Sequence, residues 1–177
     1  MEKDVLIVVD MINGFCRKGY ALSLKQDTSH IEEYISSRAT KVLNNGGKII
    51  FCCDSHTSDA PELKQYPPHC MKGSVECEIV DTLKPFIKES KVVLKNTLSI
   101  FYKTNLDKIL NKIRPKRIEI VGVCTDICDL FAVYELRNRG YEVFVSYEGV
   151  LPLDIDKQND YLNYFITKLG AEVKLPN

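Results

Sequence analysis

The sequence predicts an α/β fold, a three-layer Rossmann-like arrangement in which a mostly parallel sheet of about six strands is covered by helices on both faces. Three observations predict it. Continuous apolar runs of strand length recur along the chain, beginning with Val5-Leu6-Ile7-Val8-Val9, and their lack of alternation marks strands buried on both faces. Segments of helical periodicity separate them, as parallel neighbours require, since each pair needs a crossover running one way round. Polar residues collect where the runs end, and open parallel sheets bind ligands outside the carboxyl ends of their strands.

Taken in order, the first run stops at Asp10, a carboxylate that is either solvated at the sheet edge or part of a site. A loop through Met11-Ile12-Asn13-Gly14-Phe15 leads to a helix that starts near Thr28 or Ser29 and ends at Asn44-Asn45-Gly46-Gly47, where the glycines stop it. Lys48-Ile49-Ile50-Phe51-Cys52-Cys53 is a second buried run, ending in Asp54-Ser55-His56. From Thr57 to Gly73, Pro61, Pro67 and Pro68 exclude regular structure and predict a long loop carrying Glu62, Tyr66 and His69. A short helical stretch around Val80 to Phe86 precedes a third buried strand, Lys91-Val92-Val93-Leu94, which ends in Lys95. Leu106 to Ile113 is helical and Pro115 closes it before the strand Arg117-Ile118-Glu119-Ile120-Val121.

At Gly122-Val123-Cys124-Thr125-Asp126-Ile127-Cys128 this strand turns into a helix. Ile127, Leu130, Phe131 and Tyr134 fall at i, i+3, i+4 and i+7, a stripe expected to pack on the sheet. Thr125 and Asp126 suit the cap and first turn, and Arg137, Arg139 and Gly140 the last turn and stop. Cys128 then lies in the first turn, where free N–H groups and the helix dipole favour a thiolate; the plain alternative is a small buried hydrophobe. Glu142 to Ser146 is a strand, Ile155 to Leu169 a helix stopped by Gly170, and Ala171 to Lys174 a weaker edge strand. Residues 1–177 are read as one domain, and repeats and low-complexity segments are absent.

Lys plus Arg equal Asp plus Glu at 24 each, so no broad basic surface points to nucleic acid or anionic membrane. Met1-Glu2-Lys3-Asp4 enters a strand without a signal-peptide pattern, and no apolar stretch approaches the ~20 residues that span a bilayer. The expectation is a cytoplasmic protein that forms a homo-oligomer. Seven scattered cysteines without a C-x-x-C pair indicate reduced thiols rather than a disulfide framework.

The predicted strand ends bring Asp10, Asp54, Lys95 and the Gly122-to-Cys128 turn together. A thiol, a carboxylate and an ammonium form a nucleophile set: Asp10 accepts the thiol proton, and Lys95 keeps the carboxylate ionised and favours the thiolate. Backbone N–H groups of Cys124 and Cys128 are placed to stabilise a tetrahedral oxyanion. A salt bridge capping the sheet is the alternative for Asp10 and Lys95. Beside them Asp54, His56 and His69, with Glu62 from the same loop, suit an open site for one divalent ion, Zn, Mn or Fe; solvated loop histidines are the alternative. His30, alone at a helix start, is left as structural.

The ordered motifs V-V-D-M-I-N-G-F at 8 to 15, D-S-H at 54 to 56, P-E-L at 61 to 63, Y-P-P-H-C-M-K-G-S at 66 to 74, L-K-N-T-L-S-I-F at 94 to 101 and G-V-C-T-D-I-C at 122 to 128 resemble the isochorismatase-like cysteine hydrolases, and within them the nicotinamidase (pyrazinamidase) branch. The resemblance implies a triad of Asp10, Lys95 and Cys128, a cis peptide between Val123 and Cys124 that directs the Cys124 N–H into the oxyanion hole, and a metal held by Asp54, His56 and His69 with Glu62. It further implies Phe15 and Tyr66 as the aromatic walls of the substrate site, with Cys124 beside them. The activity implied is metal-dependent hydrolysis of nicotinamide to nicotinate and ammonia through a Cys128 thioester, in NAD salvage. Hydrolysis of another small amide or carbamoyl compound is the alternative within the family, and a redox or binding protein the alternative outside it. Ile12, Gly14, Ser55 and Tyr66 depart from the family pattern, all at the pocket wall.

Overall fold

The computed structural model describes residues 4–176; Met1 to Lys3, read above as a lead into the first strand, and Asn177 lie outside the described residues. The sheet consists of β1 (Val5–Val9), β2 (Lys48–Asp54), β3 (Lys91–Lys95), β4 (Arg117–Val123), β5 (Glu142–Leu151) and β6 (Glu172–Lys174), in spatial order β3-β2-β1-β4-β5-β6. Each of the pairings is parallel, so the sheet is wholly rather than mostly parallel. Five α-helices accompany it among the described residues: α1 (Asn13–Cys16), α2 (Ser29–Asn44), α3 (Leu106–Ile113), α4 (Cys128–Asn138) and α5 (Gln158–Thr167). None is long and apolar enough to cross a membrane.

The period-2 geometry of a strand divides each apolar run between two cores. Val5, Ile7 and Val9 of β1 join Leu106, Leu110, Ala132, Val133 and Phe165 on one face, while Leu6 and Val8 join Ile31, Ile35, Ala39 and Val42 on the other. Thus α3, α4 and α5 cover one side of the sheet and α2 the other. The strand order reverses direction between β1 and β4, and the crevice at the carboxyl ends of those two strands is where such sheets bind ligands.

Several expectations are corrected. The run Lys91 to Leu94 is the sheet edge, not a buried strand: Val92 is 41% and Leu94 55% exposed. The helical stretch expected around Val80 to Phe86 is a 3-10 segment at Lys84–Glu89 with Pro85 in its first turn, where a missing N–H costs nothing. Only half of the stripe expected on the helix after Gly122 packs on the core: Ile127 and Leu130 do, partly buried, and Phe131 and Tyr134 do not. Phe131 is 40% and Tyr134 49% exposed, and the buried face is Cys128, Asp129, Ala132, Val133 and Leu136. The cause is the start of the helix: the turn before it is irregular, α4 begins at Cys128, and small Ala132 and Val133 let it sit close against the strands. Neither Thr125 nor Asp126 caps it; Ile127 holds the cap position without a side-chain bond. Towards the end of the chain, Ile155–Lys157 is a 3-10 turn that leads into the shorter α5.

Candidate active site

At the switch point the strands β1 and β4 are in such contact that Gly122 has no alternative. Its φ is +132°, and a Cβ there would lie 2.0 Å from the Val9 carbonyl oxygen. The chain beyond Val9 bends at once, with Asp10 in the left-handed region at φ 50°, a conformation that aspartate tolerates better than most residues. The peptide between Val123 and Cys124 is cis, as the resemblance implied. Together these turns direct Asp10, Cys124 and Cys128 into the same crevice.

The register of the sheet brings in the other partners. Asp54 and Lys95 are direct neighbours at the ends of β2 and β3. Asp10 Oδ1 accepts the Asp54 N–H at 2.8 Å. The Lys95 ammonium, with its side chain fully buried, lies 2.8 Å from Asp10 Oδ2 and 2.5 Å from Asp54 Oδ1, and donates to Cys128 Sγ at 3.9 Å. Ligand atoms of Asp10, Asp54 and Cys128 lie within 4.8 Å of one another.

Two carboxylates and one ammonium share this volume, and protonation follows from that imbalance. Burial, followed by the Asp54 charge, raises the Asp10 carboxyl to about 6 against the opposing pull of Lys95. Burial resists ionisation of Asp54 too, but the Lys95 charge and the nearby His56 imidazole outweigh it and hold its acid below the usual carboxylate value. Lys95 is driven well above its ordinary range, since Asp10 and Asp54 overcome the cost of burying the ammonium. Burial, aided by both carboxylates and opposed by Lys95, pushes the Cys128 thiol well above its usual value. Burial thus opposes the thiolate that the helix start and Lys95 favour, and the thiol proton needs an acceptor.

Asp54 also belongs to a second cluster. Its Oδ2 is 3.3 Å from His56 Nε2, which is 3.5 Å from Glu62 Oε1. None of these three atoms has a hydrogen-bond partner, and neither does His56 Nδ1. His69 completes the group, its ring centroid 4.7 Å from that of His56. Its Nδ1 lies 2.8 Å from the Pro67 carbonyl, which fixes that nitrogen as the donor and leaves Nε2 as a lone-pair donor to a metal. The loop is held in place by backbone bonds from His56 N–H to the Cys70 carbonyl at 2.9 Å and from Lys72 N–H to the His56 carbonyl at 2.8 Å. Ligand atoms of Asp54, His56, Glu62 and His69 all lie within 4.8 Å of one another. Converging, buried, unpartnered oxygen and nitrogen lone pairs are what a divalent cation satisfies, so the donor set fits the expected ion.

A cavity of about 220 Å³ joins the two clusters, with Asp54, Glu62, His69, Cys124 and Cys128 among its walls. Phe15 and Tyr66 line it as the resemblance implied, their rings 5.9 and 6.3 Å from that of His69. Among the described residues neither the Cys124 nor the Cys128 N–H donates to a protein acceptor, so both are available beside the thiol. The structure thus brings together the candidate triad, the ion ligands and Phe15, Tyr66 and Cys124, but of the four departures from the family pattern only Tyr66 lines the cavity; Ile12, Gly14 and Ser55, expected at its wall, do not.

Sequence reasoning missed three things. Asp54 serves both clusters, a role that was signalled by its place and that of Lys95 at adjacent strand ends. Asp129, following Cys128, is fully buried with both carboxylate oxygens unpartnered, and burial raises its acid well above its ordinary value. The rim residues Leu22, Ser23, Leu98 and Leu153 come from irregular segments that carry no periodic signal.

The family described as "Isochorismatase domain" matches residues 4–173. Nicotinamidase PncA from Bacillus subtilis superposes with a TM-score of 0.90 at 28% identity, covering 97% of this chain and 99% of that one. N-carbamoylsarcosine amidase from Thermoplasma acidophilum superposes with a TM-score of 0.88 at 29% identity, covering 98% and 96%. Nicotinamidase 1 of Arabidopsis thaliana is 29% identical over 160 residues, which span 82% of this chain and 65% of the plant protein.

Proposed function

The chain belongs to the isochorismatase family of hydrolases, and we propose that it is a cysteine amidohydrolase that converts nicotinamide to nicotinate and ammonia, assisted by one divalent metal ion. The observation that carries this reading is the lining of the cavity, which contains no lysine or arginine. The polar side chains that could meet a substrate there include the carboxylates Asp54 and Glu62 and the imidazole of His69. An acyl group bearing its own carboxylate, such as that of a carbamoyl amino acid, would find no lysine or arginine in this lining to pair with. A small, flat, neutral amide between Phe15 and Tyr66 meets no such penalty.

In the mechanism we infer, Cys128 Sγ attacks the carboxamide carbon as its proton passes to Asp10, whose carboxylate lies within 4.8 Å. The carbonyl oxygen becomes an oxyanion facing the N–H groups of Cys124 and Cys128, an interaction typically worth ~10²-fold to ~10³-fold in rate. Lys95 keeps Asp10 oriented and balances the negative charge that accumulates around it. Asp10 then returns the proton to the departing nitrogen, which leaves as ammonia while the acyl group remains as a Cys128 thioester. Water attacks the thioester, Asp10 takes its proton, and release of the acid restores the thiol. A divalent ion held by Asp54, His56, His69 and Glu62 would supply a Lewis-acidic contact for a ring nitrogen and so orient the carbonyl toward Cys128.

Ammonia release from nicotinamide by the purified protein tests the reading, with Cys128→Ala and chelator-treated protein as controls. Turnover by the wild type that is lost in both controls, and returns when the chelated sample receives a divalent ion, is the expected result. A protein that leaves nicotinamide intact but releases ammonia from a carboxylate-bearing carbamoyl compound would overturn it.

A further inference from the structure

The cavity mouth is formed by two segments far apart in the sequence. On one side are Ala21, Leu22 and Ser23, and on the other Leu153, just beyond the end of β5. Packing does not fix Leu153, whose side chain is 48% exposed. Its backbone is instead held from both ends by side chains. Asp126 Oδ1 accepts its N–H at 3.1 Å, and Gln26 Nε2 donates to its carbonyl at 2.9 Å. Asp126 belongs to the turn that carries Cys128, so the carboxylate expected to cap a helix ties the rim to the nucleophile turn.

Gln26 makes the corresponding tie on the opposite side. Its Oε1 is buried without a partner, so the amide is anchored through Nε2. The loop that carries Gln26 is itself firmly based. Ser23 Oγ accepts the Tyr20 N–H at 2.9 Å and donates to the Arg17 carbonyl at 2.7 Å, the Leu24 N–H donates to the Phe15 carbonyl at 2.8 Å, and Arg17 is paired with Glu32 at 2.6 Å. A rigid loop with one side-chain donor reaching across a cavity mouth to an exposed leucine has the form of a latch.

We propose that Gln26 is a positioning residue that fixes Leu153 across the mouth and thereby limits the substrate to an acyl group of one small ring; this rests on the amidohydrolase reading above. Without the Nε2 donor the segment around Leu153 is held from the Asp126 side alone, the leucine swings away from the ring, and the mouth widens. Asp10, Lys95 and Cys128 are untouched by this change. The loss therefore falls on substrate binding and size selection rather than on the chemical step.

The test compares Gln26→Ala, Gln26→Glu and Gln26→Lys. Glu has the shape of Gln but no N–H, whereas Lys restores a donor. Loss of the latch is expected to raise KM for nicotinamide about tenfold, with kcat within about twofold, in the Ala and Glu variants, and Lys is expected to reverse most of this. A second readout needs no substrate: alkylation of Cys128, followed by mass spectrometry of its peptide, with iodoacetamide and with the bulkier N-benzyl iodoacetamide. The rate with the bulky reagent rises severalfold relative to the small one in the Ala and Glu variants and not in the Lys variant. A Glu variant indistinguishable from wild type, or an Ala variant with lower kcat and unchanged reagent selectivity, would overturn the proposal. If no amide is hydrolysed by the wild type the functional reading fails, while the alkylation ratio still decides the role of Gln26.

Discussion

Two kinds of buried carboxylate occur in this molecule. Glu119, in the middle of β4 and 1% exposed, accepts from Arg38 Nε at 2.9 Å and Ser146 Oγ at 2.9 Å, with Tyr34 Oη at 3.4 Å. Glu32 on α2 accepts from both Arg17 nitrogens, at 2.6 and 3.1 Å, and from Thr28 at 2.7 Å and Thr82 at 2.5 Å. Both are saturated with donors. At the carboxyl ends of the strands, Asp54 Oδ2 and Glu62 Oε1 are equally hidden from water and have none. Since an unsatisfied buried polar atom costs about 1–3 kcal/mol, the difference separates carboxylates that hold the fold together from those kept open for a ligand. The saturated groups should govern stability and the open ones activity.

Substituting Cys128 in the open cluster gives the largest expected effect. Cys128→Ala should lower amide hydrolysis by about 10³-fold or more while changing unfolding free energy by about 1 kcal/mol or less. Steady-state turnover and urea unfolding on the same preparation would check both halves. A variant that unfolds readily, or retains most of its turnover, breaks the distinction at its strongest point.

Glu119→Ala should do the reverse. Removing one partner of a buried ion pair costs about 3–5 kcal/mol, and because the Arg38 side chain is 23% exposed the lower end, about 3 kcal/mol, is expected here. Turnover per folded molecule should be unchanged, since Glu119 faces α2 rather than the crevice. Denaturant midpoints together with an active-site titration of Cys128 separate the two quantities.

The open cluster should also respond to a cation where the saturated ones cannot. Zinc or manganese at 100 times its dissociation constant adds about 2.7 kcal/mol of stability, roughly 5–10 °C in melting temperature for a chain of this size. His56→Ala or His69→Ala should abolish the shift. Its persistence in both variants would place the ion elsewhere.

Much of this division could be read from the sequence, and the failures have a common cause. Val5 to Val9 and Lys91 to Leu94 look alike as local strings, yet one is the centre of the sheet and the other its edge. Lateral order in a sheet is not a property of any single strand. The proposed triad and ion ligands were visible because each stands just beyond an apolar run, in the turn that follows one, or in the proline-rich loop. Glu119 gave no comparable signal, since its partner Arg38 lies 81 residues away and nothing in R-I-E-I-V says that a charge at its centre is buried. The α4 stripe was misread for a related reason. Periodicity identifies a helix, but its rotational phase against the sheet is set by where the helix starts, and that depends on the tertiary turn at Cys124 to Ile127.

Glu32 sharpens the comparison through pH, with the smallest expected effect. Burial opposes its ionisation, but the hydrogen bonds from Arg17, Thr82 and Thr28 prevail and hold its acid below the usual 4.5. A carboxylate with a depressed native pKa binds fewer protons folded than unfolded. It therefore contributes stability that is fully present above 4.5 and is lost as pH falls through the lower native value. Replacing the acid by an amide of the same shape removes this contribution. Glu32→Gln should be about 1–2 kcal/mol less stable than wild type at neutral pH, with the gap narrowing as pH falls below 4.5 towards the lowered native value. Urea midpoints for both proteins at pH 7, 5 and 3.5 follow the gap directly. A difference that stays constant across this range would mean that Glu32 acts through packing and hydrogen-bond geometry, with no contribution from its charge. The saturated carboxylates would then differ from the open ones in shape complementarity alone.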